Sequence, residues 1–199
     1  MTEKILIVVL PLIFLGTFIT RNLVVKSLTK QQIKASDLLS TVSIIVNSLC
    51  IITAIISTYS EHLYRLMGAI LLLRSPVLSY IGLFLFGTSS IIGWFISAQL
   101  KESWRVGVHE NQKTELIQSG IYAYIRNPYF LSYYFMFFSL FLVRPSLLMI
   151  LLVIAIIAIF HNMVLKEEAY LLATHGKEYE RYKNTTGRYL PHFVKYYDN

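Results

Sequence analysis

Long stretches without a charged side chain alternate with short charged segments along this chain. Five such stretches stand between charged residues, and they cover residues 5–20, 38–60, 75–100, 127–143 and 145–165. A helix needs about 20 apolar residues to cross a bilayer, with a range of about 17 to 25. The fourth stretch is short, so we expect its helix to tilt little or to lie off centre. The pattern predicts five membrane-spanning helices.

Local signals set several of the predicted helix ends. Arg144-Pro145 is a tight break, which predicts a helical hairpin of spans four and five with Pro145 in the first turn of the fifth helix. The fifth span enters charged sequence without a turn signal, so its helix is predicted to reach Thr174 and to stop at Gly176. Residues 61–74 are too short to span the membrane and predict a helix in its interface.

Composition supports a membrane protein. The chain has 199 residues, of which 55% are hydrophobic and 15% charged, whereas a soluble domain is about a quarter charged. The single cysteine, Cys50, excludes an internal disulfide and a two-cysteine metal site, and we expect no metal. The expected fold is an all-α integral membrane protein of one domain, 1–199, with three spans in 1–100 and the catalytic region in 101–199.

The basic residues predict an orientation in the membrane. The net charge of +7 fits anionic lipids better than nucleic acid, so we expect no nucleic-acid partner. With five spans, the N-terminus and the second and fourth loops lie on the same side of the membrane. This side carries four of the 18 basic residues, namely Lys4, Arg65, Arg74 and Arg144. The other 14 lie on the opposite side, so the N-terminus is predicted outside and the C-terminus in the cytosol. The long polar segments, 101–126 and 166–199, then both face the cytosol.

Candidate chemistry lies in these two polar segments. The loop of residues 101–126, between spans three and four, is longer than a plain connection needs, which is typical of functional loops. Asn127-Pro128 begins the fourth span, and a helix N-terminus can hold a carboxylate; in the simpler interpretation Asn127 only caps the helix. Glu167 and Glu168 point about 100° apart on a helix, so at most one of them faces a common site; in the simpler interpretation both are solvated.

Taken in order, these pieces resemble the isoprenylcysteine carboxyl methyltransferase family, in its prokaryotic integral membrane form. The resemblance covers roughly residues 105–192 and is strong as an ordered set. Its elements are Leu116-Ile117, Ser119-Gly120-Ile121-Tyr122, Arg126-Asn127-Pro128, Glu167-Glu168, Gly176, Tyr179, Tyr182 and Leu190-Pro191.

The resemblance implies a function and a set of site residues. The family binds S-adenosylmethionine at the cytosolic membrane face and methylates the carboxylate of a C-terminal S-prenylated cysteine, so the implied partners are a lipid-modified cysteine and membrane lipids. The implied cofactor pocket is formed by the 101–126 loop and the C-terminal tail. The implied cofactor-binding residues are His109, Thr114, Glu115, Leu116, Ile117, Tyr122, Asn127, Pro128, Tyr129 and Glu167.

Three positions depart from the family pattern. Asn127 replaces the usual His, Phe130 stands where Tyr is common, and Met163 stands where eukaryotic members carry a substrate-binding Arg. These changes leave the cofactor expectation in place and leave the natural acceptor open.

The expected chemistry needs alignment more than proton transfer. A carboxylate is ionised at pH 7, so its attack on a sulfonium methyl group requires no base, and the site must exclude water. Arg126, Arg181 or Arg188 can orient the carboxylate through paired hydrogen bonds. We favour Arg126, which with Glu167 forms the predicted catalytic pair. The tail is predicted to close the pocket with its aromatic residues, namely Tyr179, Tyr182, Tyr189 and Phe193.

Two other classes of function stay open. The same motif occurs in phospholipid methyltransferases, whose amine acceptor must lose a proton, and in NADPH-dependent sterol-type reductases, whose cofactor phosphate favours clustered basic residues. Only Lys113 and Arg126 flank the motif in this loop. A channel or scaffold is disfavoured because spans two and three contain no charged residue.

Overall fold

The computed structural model describes residues 2–29, 38–99 and 116–192, and within these ranges it is helical without a β-strand. The helices are α1 (Thr2–Thr29), α2 (Leu38–Tyr59), α3 (Glu61–Leu66), α4 (Pro76–Gln99), α5 (Pro128–Val143), α6 (Leu147–His175) and α7 (Lys177–Thr185). Each predicted span coincides with one apolar helix, namely α1, α2, α4, α5 or α6, which confirms the all-α membrane fold.

Four helices, α1, α2, α4 and α6, are long and apolar enough to cross a membrane. The fifth candidate, α5, has only 16 residues, which at about 1.5 Å each gives a length of about 24 Å. The residue before its first turn, Asn127, lies beside Glu168 of α6, and the residue after its last turn, Arg144, lies beside Glu3 of α1. It therefore runs from one end of the bundle to the other, as the prediction of a short fourth span requires.

Helix α5 lies at the centre of the bundle and packs most closely on α4. A Cβ atom added to Gly82 of α4 would come within 2.7 Å of the Ser139 carbonyl oxygen, and one added to Gly93 would come within 2.8 Å of Ser132 Oγ. Small residues allow membrane helices to approach this closely. The close packing fixes the position of α5 and thus of the Asn127-Pro128 turn before it.

The end of the bundle near the N-terminus is closed by a buried arginine. Arg144 donates to Thr58 Oγ1 at 3.2 Å, lies 3.5 Å from Glu3 Oε1 and sits over the ring of Tyr64. Because a buried charge needs partners, these contacts tie α1, α2 and α3 to the α5–α6 hairpin.

The hairpin also corrects two predictions. Helix α6 begins at Leu147 with the Ser146 side chain as its cap, so Pro145 precedes the helix and is not in its first turn. Residues 61–74 do not form one interfacial helix: α3 ends before Gly68, whose φ is +73°. The following chain instead pairs with the hairpin, since Ile70 N–H donates to the Pro145 carbonyl at 2.9 Å.

The opposite end of the bundle gathers the predicted chemistry. Helix α6 continues past Glu167 and Glu168 to His175 and stops at Gly176 with φ of +52°, as predicted. The stop reverses the chain into α7, which packs back on α6. The turn before α5, the acidic pair and the tail are thereby brought together.

Candidate active site

The turn of Arg126, Asn127 and Pro128 is held by the C-terminal tail. Arg126 N–H donates to the Gly187 carbonyl at 2.8 Å, and Asn127 N–H donates to the Arg188 carbonyl at 3.0 Å. Pro128 occupies the start of α5, where its missing N–H costs nothing. The Asn127 side chain makes no capping hydrogen bond to the helix, so capping alone does not explain this residue.

Glu168 contacts three side chains of the site. Its carboxylate accepts from Asn127 Nδ2 at 3.0 Å, from Arg126 Nε at 3.2 Å and from Arg188 Nη2 at 2.8 Å, and Arg188 Nε lies 3.1 Å from both of its oxygens. The residue is only 6% exposed. Ionised groups that share several hydrogen bonds form strong contacts, so Glu168 joins α5, α6 and the tail in one cluster.

Glu167, the predicted cofactor-binding carboxylate, is half-buried beside Glu168. It lies close enough to Tyr122 and Tyr179 to interact with both. Burial, and then the negative charge of Glu167, raise the pKa of Tyr122. The two acidic residues thus differ in their surroundings, as their angular separation predicts: Glu168 contacts Arg126 and Arg188 and also lies near Tyr179, whereas Glu167 lies near Tyr122.

The tail covers the turn with tyrosines; whether these tyrosines also close a pocket over the cofactor stays a prediction. Tyr179 and Tyr182 of α7 are buried, with their rings packed edge to face. Tyr182 Oη donates to the Tyr122 carbonyl at 2.6 Å, and Arg126 Nη1 donates to the carbonyls of Lys183 and Thr186. Burial raises the pKa of Tyr179 and of Tyr182. Phe193 lies outside the described residues.

A second aromatic contact fixes the tail beyond α7. The Tyr189 hydroxyl lies 2.9 Å from His161 Nδ1 and accepts from Tyr134 Oη at 3.1 Å. His161 of α6 and Tyr134 of α5 therefore hold the segment that carries Arg188.

The three predicted substrate arginines are placed differently. Arg126 is held by Glu168 and by tail carbonyls, and its side chain is 7% exposed. Arg188 shares the same carboxylate, but its side chain is 33% exposed, and hydrogen bonding to Glu168 raises its pKa. Arg181 is exposed on α7 and, within the described part of the chain, stands apart from this cluster.

The 101–126 loop is described only from residue 116. The predicted cofactor residues His109, Thr114 and Glu115 lie outside the described residues, whereas Leu116 and Ile117 are half-buried. The predicted turn at Ser119-Gly120 is present, with a φ of +63° at Gly120, and it continues into a 3-10 turn over Gly120–Ala123.

Two buried hydroxyls give this site capacity for a ligand. Tyr122 Oη and Tyr179 Oη are buried, and among the described residues neither has a hydrogen-bond partner. Buried polar groups normally do. The Tyr122 hydroxyl lies near Glu167, and the Tyr179 hydroxyl lies near Glu168, Arg126 and Glu167. A carboxylate and two hydroxyls suit a cationic molecule with hydrogen-bonding groups, which S-adenosylmethionine is.

Tyr129, also predicted to hold the cofactor, lies in the first turn of α5, with its hydroxyl 2.6 Å from Tyr133 Oη. With Tyr133 it lines a cavity of about 400 Å³ between α1 and α2. This placement makes Tyr129 the link between the turn and the membrane-facing part of the bundle.

Sequence reasoning missed the central role of Glu168 and the contact of His161 with the tail. Both depend on residues that are distant in sequence, 20 positions for Glu168 and Arg188 and 28 for His161 and Tyr189. One signal was available in the sequence. Arg126 and Arg188 both lie within residues 105–192, and arginines that become buried need acidic partners, which Glu167 and Glu168 could supply.

The fold and the site define an integral membrane protein with an ionised, tyrosine-lined site at one end of its helix bundle. The family model for phospholipid methyltransferase matches residues 77–178, just over half of the chain, and the chain belongs to that family. The match spans α4, α5 and α6 and contains the turn, Glu167 and Glu168.

The family match fixes the class of reaction. The family belongs to the same membrane methyltransferase superfamily as the isoprenylcysteine carboxyl methyltransferases, and its members use S-adenosylmethionine as methyl donor. The chain is therefore a membrane methyltransferase acting on a lipid-related substrate. No curated protein matches the chain.

Proposed function

We propose that this protein methylates the carboxylate of a lipid-like acceptor, such as an S-prenylated cysteine, at the cytosolic face of the membrane. The observation that carries the proposal is the separation of charges at the site. Glu167 lies beside Tyr122, where a cationic donor fits, whereas Arg126 and Arg188 contact Glu168, and the partly exposed Arg188 offers a positive group to an anionic acceptor.

S-adenosylmethionine supplies an electrophilic methyl group when bound. Glu167 would attract its positive charge, and the hydroxyls of Tyr122 and Tyr179 would accept or donate hydrogen bonds that they otherwise lack among the described residues. The tyrosines and α7 would exclude water, which strengthens these electrostatic contacts.

An acceptor carboxylate would face Arg188 more readily than the predicted Arg126. Arg126 uses its donors on Glu168 and two tail carbonyls, so its main task is to hold the tail against the turn. Arg188 has a third of its side chain exposed and can present one edge of its guanidinium group. Since the acceptor is already ionised, alignment and not proton removal limits the reaction.

Methylation of a phospholipid amine is the second candidate, and the family name favours it. An ammonium group must lose its proton before it attacks a methyl group, so this reaction needs a base. Glu167 would have to fill that role while also binding a cationic donor. The predicted orientation, with the site in the cytosol, is the same for both candidates.

The pH dependence of methyl transfer separates the two. A carboxyl group with a pKa of about 3.5 is ionised throughout the range from about pH 6 to 9. With purified protein in nanodiscs and S-farnesyl-N-acetylcysteine as acceptor, we expect kcat/KM to be nearly flat over this range. A rate that is confined to phosphatidylethanolamine and rises with pH would replace the carboxylate proposal with the amine one.

A further inference from the structure

His161 is a polar residue that the proposed reaction does not use. It lies in α6, seven residues before Glu168, and seven residues advance a helix by about two turns, or about 10.5 Å. The two side chains therefore lie on nearly the same face of α6. Ionisable residues are rare in a helix that is apolar enough to span a membrane, as α6 is, and they usually mark a functional position.

The tail contacts this face of α6 at both positions. Arg188 binds Glu168, and the next residue, Tyr189, places its hydroxyl 2.9 Å from His161 Nδ1. The ring centroids of Tyr189 and His161 lie 6.0 Å apart. Two consecutive residues of the tail are thus fixed to one helix face at points about two turns apart.

Tyr134 of α5 contacts the same tyrosine from the neighbouring helix. Its hydroxyl donates to Tyr189 Oη at 3.1 Å, and the two ring centroids lie 5.3 Å apart, within the usual range for packed aromatic rings. Since Tyr189 Oη accepts from Tyr134, its own proton is directed to His161 Nδ1, which then acts as the acceptor. Tyr134, Tyr189 and His161 form one chain of hydrogen bonds, which we call the tail latch.

The tail latch adjoins the arginine that faces the acceptor. The Arg188 carbonyl is fixed by the Asn127 N–H at 3.0 Å, and its side chain binds Glu168 through Nε and Nη2. A guanidinium group that binds a carboxylate through these two nitrogens directs its third nitrogen, Nη1, away from it. The position of Nη1 therefore depends on where the tail places the Arg188 backbone, which Tyr189 determines together with Asn127.

We propose that Tyr189 is a positioning residue for the methyl acceptor: held by His161 and Tyr134, it places Arg188 so that Nη1 meets the anionic group of the acceptor. The tail latch then determines the affinity for the acceptor and leaves donor binding at Glu167 unchanged. This inference rests on the proposed role of Arg188 and adds the residues that determine its geometry.

Equilibrium binding tests the inference without a methyl-transfer step. The probes are S-farnesyl-N-acetylcysteine and its carboxamide, with purified protein in nanodiscs of electrically neutral phospholipid. Tyr189→Phe keeps the ring and removes the hydroxyl, so it should weaken binding of the carboxylate about 5- to 30-fold, because two neutral hydrogen bonds are lost. Binding of the carboxamide should stay nearly the same, as should binding of S-adenosylmethionine measured by isothermal titration.

Two replacements of His161 form a matched pair. The side-chain oxygen of Asn can take the place of Nδ1, whereas the longer Gln places its amide near the position of Nε2. His161→Asn should therefore keep the wild-type preference for the carboxylate, and His161→Gln should lose it as Tyr189→Phe does. A histidine that only packs would give the same result with both amides.

The outcomes separate this inference from the proposed function. If Tyr189→Phe weakens both probes equally, or neither, the tail latch only fastens the tail and the positioning role is wrong, while the proposed reaction stands. Equal affinities in His161→Asn and His161→Gln would likewise contradict the positioning role. If Tyr189→Phe loses the wild-type preference for the carboxylate, yet no methyl ester forms in the wild type, the proposed reaction fails while the positioning role stands. A wild-type protein that binds both probes equally would overturn both, because Arg188 would then contact no acceptor anion.

Discussion

At the scale of single residues, two adjacent carboxylates have different partners and should have different tasks. Glu168 contacts three donor side chains and is buried, whereas Glu167 is half-buried beside tyrosines. A one-residue step along a helix rotates the side chain by about 100°, which is sufficient to separate them. Glu168 therefore holds the site together, and we propose Glu167 as the residue that binds the donor.

Replacing Glu168 should affect folding. In Glu168→Ala, the buried guanidinium group of Arg126 loses its counterion, and breaking a buried pair from one side costs about 3–5 kcal/mol. We expect a clearly lower Tm in detergent, measured by the exposure of the buried Cys50 thiol to a fluorescent maleimide. Glu168→Ala with the wild-type Tm would show that the cluster adds no stability.

Replacing Glu167 should affect donor binding instead. Loss of one contact to a charged group costs about 1.5–3 kcal/mol, so Glu167→Ala should bind S-adenosylmethionine roughly 10- to 150-fold more weakly, as isothermal titration would measure. Its Tm should stay close to that of the wild type. Wild-type affinity in Glu167→Ala would remove this residue from the donor site.

At the scale of elements, the tail completes the turn before α5. Gly187 accepts the Arg126 N–H, and the next residue, Arg188, both accepts the Asn127 N–H and binds Glu168. Two backbone hydrogen bonds between the turn and the tail are weak by themselves. The stability of this pairing therefore depends on the contacts of Glu168 and of Tyr189. Turn and tail should therefore order together.

A single methyl group can test this coupling. In Gly187→Ala the new Cβ would collide with the Leu190 carbonyl oxygen, whereas in Gly16→Ala it would meet nothing within 4 Å. We expect Gly187→Ala to lose most methyl transfer and Gly16→Ala to keep it, as measured with labelled S-adenosylmethionine. Equal activity in the two variants would contradict a role for the tail at the site.

The sequence predicted the long helices well because their ends coincide with charges, Pro or Gly. The stop of α6 at Gly176 and the start of α5 at Pro128 are local signals of this kind. The break at Gly68 could not be predicted from residues 61–74 alone, because it depends on pairing with Pro145 in a distant loop. The same limit applies to Glu168, whose role depends on Arg188 in the tail.

At the scale of the whole molecule, the two ends of the bundle differ in character. One end is closed by Arg144 with Glu3 and Thr58, and the other carries the ionised site. The topology prediction assigned Arg144 to the side of the N-terminus, and Arg126 and Arg188 to the opposite side. In the structure these residues lie at the corresponding ends of the bundle. The grouping is therefore consistent with five crossings, and the distribution of basic residues predicts which end faces the cytosol.

A reporter fused to the C-terminus tests this orientation. Because 14 of the 18 basic residues lie on the predicted inner side, we expect a reporter that is active in the cytosol to be active and one that needs export to be silent. The reverse pattern would place the site outside the cell, away from the cytosolic pool of S-adenosylmethionine.

The chemical form of the transferred methyl group tests the central claim most directly. Membranes that contain the wild-type protein or Glu167→Ala are incubated with methyl-labelled S-adenosylmethionine, and the extracted lipids and lipid-modified proteins are treated with alkali. Carboxyl methylation predicts label that alkali releases as methanol, and little of it in Glu167→Ala. Label that resists alkali and remains on a phospholipid amine would contradict the account.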